Sequence, residues 1–193
     1  MLSFFGLHEK QIFLGNILFV VCCLFYLAWW LLAFKPVGAI TGLKTGWLLI
    51  PAAGFGIWGV VQVFRGIFAK TPASLLLDGR YILWGGVALY FILLFITITL
   101  FKRPATTELV LIVGWAMLAL AEANTLFGFG LFSRARAVSF MVLIGIAAII
   151  SLACYVLYYR LDRRAGYIDG LVPLLLAGLT MAGISGFMLA AGA

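Results

Sequence analysis

Two carboxylates interrupt a long apolar stretch, residues 107–130, in the second half of the chain. Glu108 lies near its start and Glu122 towards its end, where Asn124 follows. In a helix, Glu108, Trp115 and Glu122 recur every seven residues and fall on one stripe. The two carboxylates would lie about 21 Å apart along that helix. This distance is too long for acid–base work on one bond, so we expect no enzyme activity from the pair.

Each carboxylate has its own interpretation. A carboxylate inside a membrane is costly unless it faces protein, water or a partner, so Glu122 marks either a polar pathway or a structural bond to a neighbouring helix. Glu108 falls in the first turn of its helix, where a negative charge suits the helix dipole. Only Glu122 lacks such a local explanation.

The composition excludes a soluble domain. The chain has 193 residues, of which 66% are hydrophobic and 10% charged, and its mean hydropathy is +1.22. Soluble domains carry about 25% charged residues. The sequence therefore predicts an all-α integral membrane protein, one transmembrane domain over residues 1–193. Its length allows six membrane-spanning helices, which we place at about residues 11–34, 46–68, 81–101, 107–130, 137–159 and 167–190.

Polar and aromatic residues punctuate the other helices. Asn16 lies early in the first helix, where an amide often bonds across helices. Trp58, Gln62 and Arg65 share one face of the second helix. Arg65 either reaches the membrane interface or pairs with an acidic residue elsewhere.

The remaining candidates are Trp84 of the third helix and Asp169, which we expect to open the last helix near the water interface. The residue inventory argues against a metal or cofactor, because His8 is the single histidine and the three cysteines lie in apolar runs. The net charge of +7 fits cationic helix ends at anionic lipid headgroups. We expect no nucleic-acid partner.

An internal repeat suggests that the six helices form three tandem hairpins. Each hairpin turn is basic, with Lys35, Lys102–Arg103 and Arg160–Arg164 following aromatic helix ends. Three such hairpins can surround a central axis and leave a narrow path. Lysines and arginines divide almost evenly between the two ends of the bundle, so the positive-inside rule does not assign the orientation.

These features resemble the six-helix urea/amide channel family, which includes acid-gated urea channels. The resemblance rests on the length, the hairpin plan, the aromatic helices, and the pair Asp169-Gly170 at the last helix, where the family has Glu-Gly. More weakly, the second helix, FGIWGVVQVFRGIF, is similar to that of the acetate/succinate transporter family. The lone His8 does not reproduce the family's histidine pH sensor.

The resemblance implies a path for a small polar solute such as urea or a short amide. Trp58, Trp84 and Trp115 would form flat slots that exclude hydrated ions. Glu122 and Asp169 would accept amide N–H groups. The amides of Asn16 and Gln62 would both donate and accept. The resemblance also implies a homo-oligomer, with a hexameric ring as the expected form, in a bacterial plasma membrane.

Three other functions compete with a urea-like channel. A short carboxylate would be the solute if Arg65 faced the path. A non-transport subunit, scaffold or sensor would lack a continuous polar cavity. A lipid-modifying enzyme is disfavoured, since the sequence holds no nucleophile–base pair, phosphate-binding loop or metal cluster.

Overall fold

The computed structural model describes residues 5–35, 42–68, 74–75, 77–100 and 107–191, and every regular element among them is helical. All six long helices have the length and the apolar composition to cross a membrane. This result confirms the predicted all-α character of the described chain and the prediction of six helices long enough to cross a membrane. The six are α1 (Leu7–Ala33), α2 (Leu49–Ile67), α3 (Gly79–Thr99), α4 (Thr107–Gly128), α5 (Arg134–Leu157) and α6 (Arg163–Ala191).

Short elements extend two of these helices. The turn Gly42–Thr45 and the 3-10 segment Gly46–Leu48 lead into α2, and the 3-10 segment Tyr158–Arg160 follows α5. The predicted turn at Lys102–Arg103 lies outside the described residues. Glu108 lies in the first turn of α4, as predicted.

The beginning of α6 corrects the sequence interpretation of Asp169. The helix starts at Arg163, so Asp169 lies in its second turn and does not open it. The side chain of Asp162 caps the helix instead, because its Oδ1 accepts the backbone N–H of Ala165 at 2.7 Å. An aspartate just before the first turn satisfies an N–H that has no helical partner.

The helix α4 occupies the middle of the bundle. Within its most apolar window 72% of residues are buried, against 11–28% for the other five long helices. It contacts α2, α3, α5 and α6, and α1 packs between α2 and α6. Its alanines at 116, 119, 121 and 123 are buried, and such small side chains let several helices approach one backbone.

The predicted hairpin pairs are in contact, but they are not set apart from other pairs. The pairs α1–α2, α3–α4 and α5–α6 touch, and so do α4–α5 and α1–α6. The three-hairpin arrangement around an open axis therefore stays a prediction. In the described chain, α4 fills the middle of the bundle.

Glycines bring α1 and α2 together at short range. A Cβ on Gly15 of α1 would lie 2.8 Å from the carbonyl oxygen of Gly59 on α2. A Cβ on Gly66 of α2 would lie 2.9 Å from the carbonyl oxygen of His8. Because these neighbours are backbone atoms, a side chain could be accommodated only by moving a whole helix.

Candidate functional site

The carboxyl of Glu122 is joined to the first helix inside the bundle. Asn16 Nδ2 donates to Glu122 Oε2 at 2.8 Å. Both residues are 0% exposed, and they are separated by 106 positions in the sequence. The structure therefore brings two predicted site residues together and ties α1 to α4 by a buried polar contact.

The pair keeps one oxygen on each side chain without a partner, and a buried serine of α6 is in the same condition. Among the described residues, Glu122 Oε1, Asn16 Oδ1 and Ser185 Oγ have no hydrogen-bond partner. α6 runs antiparallel to α1, because Gly170 lies against Trp30 and Gly178 lies against Cys23. Asn16 lies seven residues before Cys23, and Ser185 lies seven residues after Gly178. Because seven residues are close to two helical turns, this spacing puts both on the facing sides of the two helices. Sequence patterns did not indicate Ser185, since serine is common in membrane helices.

Two further predicted site residues, Gln62 and Trp115, are also buried. Gln62 of α2 is 7% exposed and lies between Gly59 and Gly66, the two glycines of α2 that approach α1. Trp115 of α4 is 6% exposed and lies two turns from Glu122 on the predicted stripe. Its Nε1 has no partner among the described residues.

The other two predicted tryptophans lie on the surface of the bundle. Trp58 is 53% exposed and Trp84 is 68% exposed. Trp84 and Trp115 line one cleft, whereas Trp58 does not line it. The structure thus brings two of the three predicted aromatic residues to a common space and leaves Trp58 facing outward.

A wide cleft lies among the described residues of the bundle. Its volume is about 1200 Å³, and residues of all six long helices line it, almost entirely with apolar side chains. Its lining includes residues between 19 and 30 of α1, between 108 and 118 of α4 and between 169 and 177 of α6, and it follows α2 from Leu49 to Phe64. Its exposed rim carries Ile57 of α2 with Trp84 and Phe91 of α3. The cleft therefore opens sideways between α2 and α3.

The cleft also contains polar side chains. Glu108, Asp169, Tyr26, Tyr158 and Cys154 all line it. Asp169 Oδ2 is buried and has no hydrogen-bond partner among the described residues. Burial and the nearby carboxylates of Glu108 and Asp169 raise the pKa of the Tyr158 hydroxyl.

The glycine of the pair Asp169-Gly170 has a packing role. A Cβ at Gly170 would collide with the indole of Trp30, so this glycine makes room for the ring. Trp30 Nε1 donates to the carbonyl of Tyr167 at 3.0 Å and fixes α1 against α6. This contact holds Asp169 beside the cleft. The position of Asp169 therefore follows from helix packing and not from a role as the N-cap of α6.

No protein-family model, curated protein or solved structure matches this chain. The similarity to the urea/amide channels and to the acetate/succinate transporters therefore stays a prediction.

Arg65 does not line the cleft. It is exposed in the last turn of α2, and it is absent from the described lining. The condition that would have favoured a carboxylate solute, an arginine facing the path, is not met by this cleft.

Asn124 supports the connection between α2 and α3. Its Oδ1 accepts the N–H of Leu75 at 3.0 Å, and its Nδ2 donates to the carbonyl of Leu77 at 2.7 Å. The side chain is 1% exposed. One amide therefore satisfies two backbone groups of a segment without regular structure.

We expect Asn124→Ala to lower the free energy of unfolding by about 1–3 kcal/mol, because it leaves both backbone groups unpaired. Limited proteolysis in detergent should then cut faster between residues 68 and 79. A suitable control is Thr180→Val, whose lost hydroxyl bonds a carbonyl of its own helix. Unchanged cleavage in Asn124→Ala would show that the connection is held by other contacts.

Proposed function

We propose that this chain is a membrane transporter or channel for a small organic molecule, with the cleft as its binding site. The observation that supports the proposal best is the cleft itself, about 1200 Å³ in volume and lined by residues of every long helix. Sites for small molecules are mostly apolar cavities of about 300–1,000 Å³ with a few convergent polar groups. The cluster of Glu108, Asp169 and Tyr158 provides such groups.

The cleft favours a different solute from the one that the family resemblance implies. Urea needs several hydrogen-bond partners, and the described lining has few. Glu122, Asn16 and Gln62, the predicted partners of an amide solute, do not line the cleft. We therefore propose an amphipathic molecule with a substantial apolar part. A ring-shaped oligomer and a bacterial plasma membrane rest on the family resemblance alone and belong to this proposal only as predictions.

Flux measurements on proteoliposomes test the proposal. Small solutes are followed by stopped-flow light scattering with urea, acetamide, acetate and glycerol. Amphipathic molecules are followed by uptake of the cationic dye ethidium into DNA-loaded liposomes and of the anionic dye 1-anilinonaphthalene-8-sulfonate into albumin-loaded liposomes. We expect uptake of one dye to exceed that of protein-free liposomes severalfold.

A pair of neighbouring substitutions locates the pathway. Ala53 lines the cleft, whereas Gly54 is exposed and does not line it. Ala53→Trp should reduce the dye flux at least fivefold, and Gly54→Trp should leave it nearly unchanged. Rapid swelling with urea that is unchanged in Ala53→Trp would show that the pathway does not pass through the cleft. No flux above protein-free liposomes for any solute would favour the non-transport subunit.

A further inference from the structure

The charged side chains that line the cleft are all acidic. Two carboxylates, Glu108 and Asp169, line it, and its described lining contains no lysine or arginine. The whole chain, in contrast, carries 13 lysines and arginines and only 6 acidic residues. An excess of negative groups in a basic protein is therefore a local property of this cleft.

Aromatic rings accompany the two carboxylates. Tyr26, Trp30 and Tyr158 line the same end of the cleft, and the rings of Trp30 and Tyr158 are 5.9 Å apart between centroids. Ring faces attract cations, and this attraction increases when water is excluded. Carboxylates beside aromatic rings are a combination that suits organic cations, which are too large and too weakly hydrated to need a cage of oxygen ligands.

The remaining cleft is apolar and wide. From the acidic end the lining continues along α4 through residues 110–118 and along α2 to Phe64 and Phe68. An apolar body attached to a cationic centre would bury its surface there, which is favourable by about 25 cal/mol per Å². A small hydrated cation would gain nothing from this part of the cleft.

From the charges, rings and apolar walls together, we infer that the cleft binds a lipophilic organic cation, with its positive centre between Glu108, Asp169 and Tyr158. Asp169 lines the cleft, and its Oδ2 has no hydrogen-bond partner among the described residues, so a cation there would supply the missing interaction. The sideways opening between α2 and α3 gives such a molecule access from the bilayer. This inference names the substrate class for the proposed function, but its test measures binding alone.

Tetraphenylphosphonium and tetraphenylborate provide a matched test, because the two ions share shape and apolar surface and differ in the sign of their charge. Equilibrium dialysis on the full chain in a non-ionic detergent measures both. We expect the cation to bind at least tenfold more tightly than the anion. Empty detergent micelles give the background for each ion.

Two substitutions then assign the selectivity. Glu108→Gln and Asp169→Asn should each weaken cation binding about tenfold, since each removes one opposite charge within a few ångströms. Glu9→Gln is the control, because Glu9 is an acidic residue in the first turn of α1 that does not line the cleft. Each variant is compared with wild type by thermal unfolding before binding is measured.

Equal binding of both ions, or binding that survives both substitutions, would reduce the cleft to an unselective apolar space and overturn the inference. If neither ion binds above the micelle background, the inference is overturned as well. The matched ions test wild-type protein, so the result does not depend on a variant folding. Selective binding without any flux would keep this inference and contradict the proposed transport function.

Discussion

Asn16→Leu is expected to lower the free energy of unfolding by about 2–3 kcal/mol, although leucine is larger and more apolar than asparagine. The substitution removes the donor to Glu122 Oε2, and the carboxyl of Glu122 is 0% exposed. A buried polar group that loses its partner keeps its desolvation cost without the compensating bond. Unfolding by increasing dodecyl sulfate in mixed micelles, followed by helical circular dichroism, measures the change.

A double-mutant cycle isolates the Asn16–Glu122 pair from general core packing. Glu122→Leu alone should cost a similar amount, since it leaves the Asn16 amide unpaired. The double variant should cost clearly less than the two single costs added, because replacing both partners by apolar groups removes the unpaired atoms. Additive costs would mean that the hydrogen bond contributes little.

Glu122→Gln separates the two interpretations of this residue. Glutamine keeps an oxygen that can accept the Asn16 N–H, so stability should change by less than about 1 kcal/mol. If Glu122 serves only the fold, flux should also be preserved. A flux that changes while stability does not would assign Glu122 to the pathway.

Gly15→Ala is expected to destabilise the bundle by about 1–3 kcal/mol. The new Cβ would meet Val63 Cγ2 at 2.5 Å and the carbonyl oxygen of Gly59 at 2.8 Å, and the second atom belongs to the backbone of α2. Overfilling a packed contact has this typical cost. Because α1 carries Asn16, the shift should also weaken the buried pair.

The matched control for Gly15→Ala is Gly54→Ala on α2. A Cβ at Gly54 would meet nothing within 4 Å, so only the helix propensity changes, in favour of alanine. Thermal unfolding in dodecyl maltoside should place the Gly15 variant below wild type and the Gly54 variant at or above it. Equal stability of all three proteins would show that α1 and α2 separate easily.

The helix termini illustrate how local signals work and fail. Glu108 was predicted to lie in the first turn of α4, where its charge suits the helix dipole, and the structure has it there. The start of α6 was predicted near Asp169, whereas Asp162 is the cap. Asp162 and Asp169 both precede a stretch that could begin a helix, and the sequence alone contains nothing that selects one of them as the cap. Trp58 and Trp84 posed the same difficulty, because tryptophan suits a lipid-facing surface as well as a cavity.

The sequence by itself determined the six apolar helices and the exceptional position of Glu122. Both follow from local chemistry, because a backbone in lipid must satisfy its hydrogen bonds within a helix and a carboxyl there needs a partner. The tertiary structure alone decided that this partner is Asn16, that α4 lies in the middle, and that Glu108 and Asp169 share one cleft. In a membrane helix nearly every face is apolar, so periodicity does not indicate which face meets which neighbour. Close packing of small residues selects the helix contacts, and these depend on pairs of positions far apart in the chain.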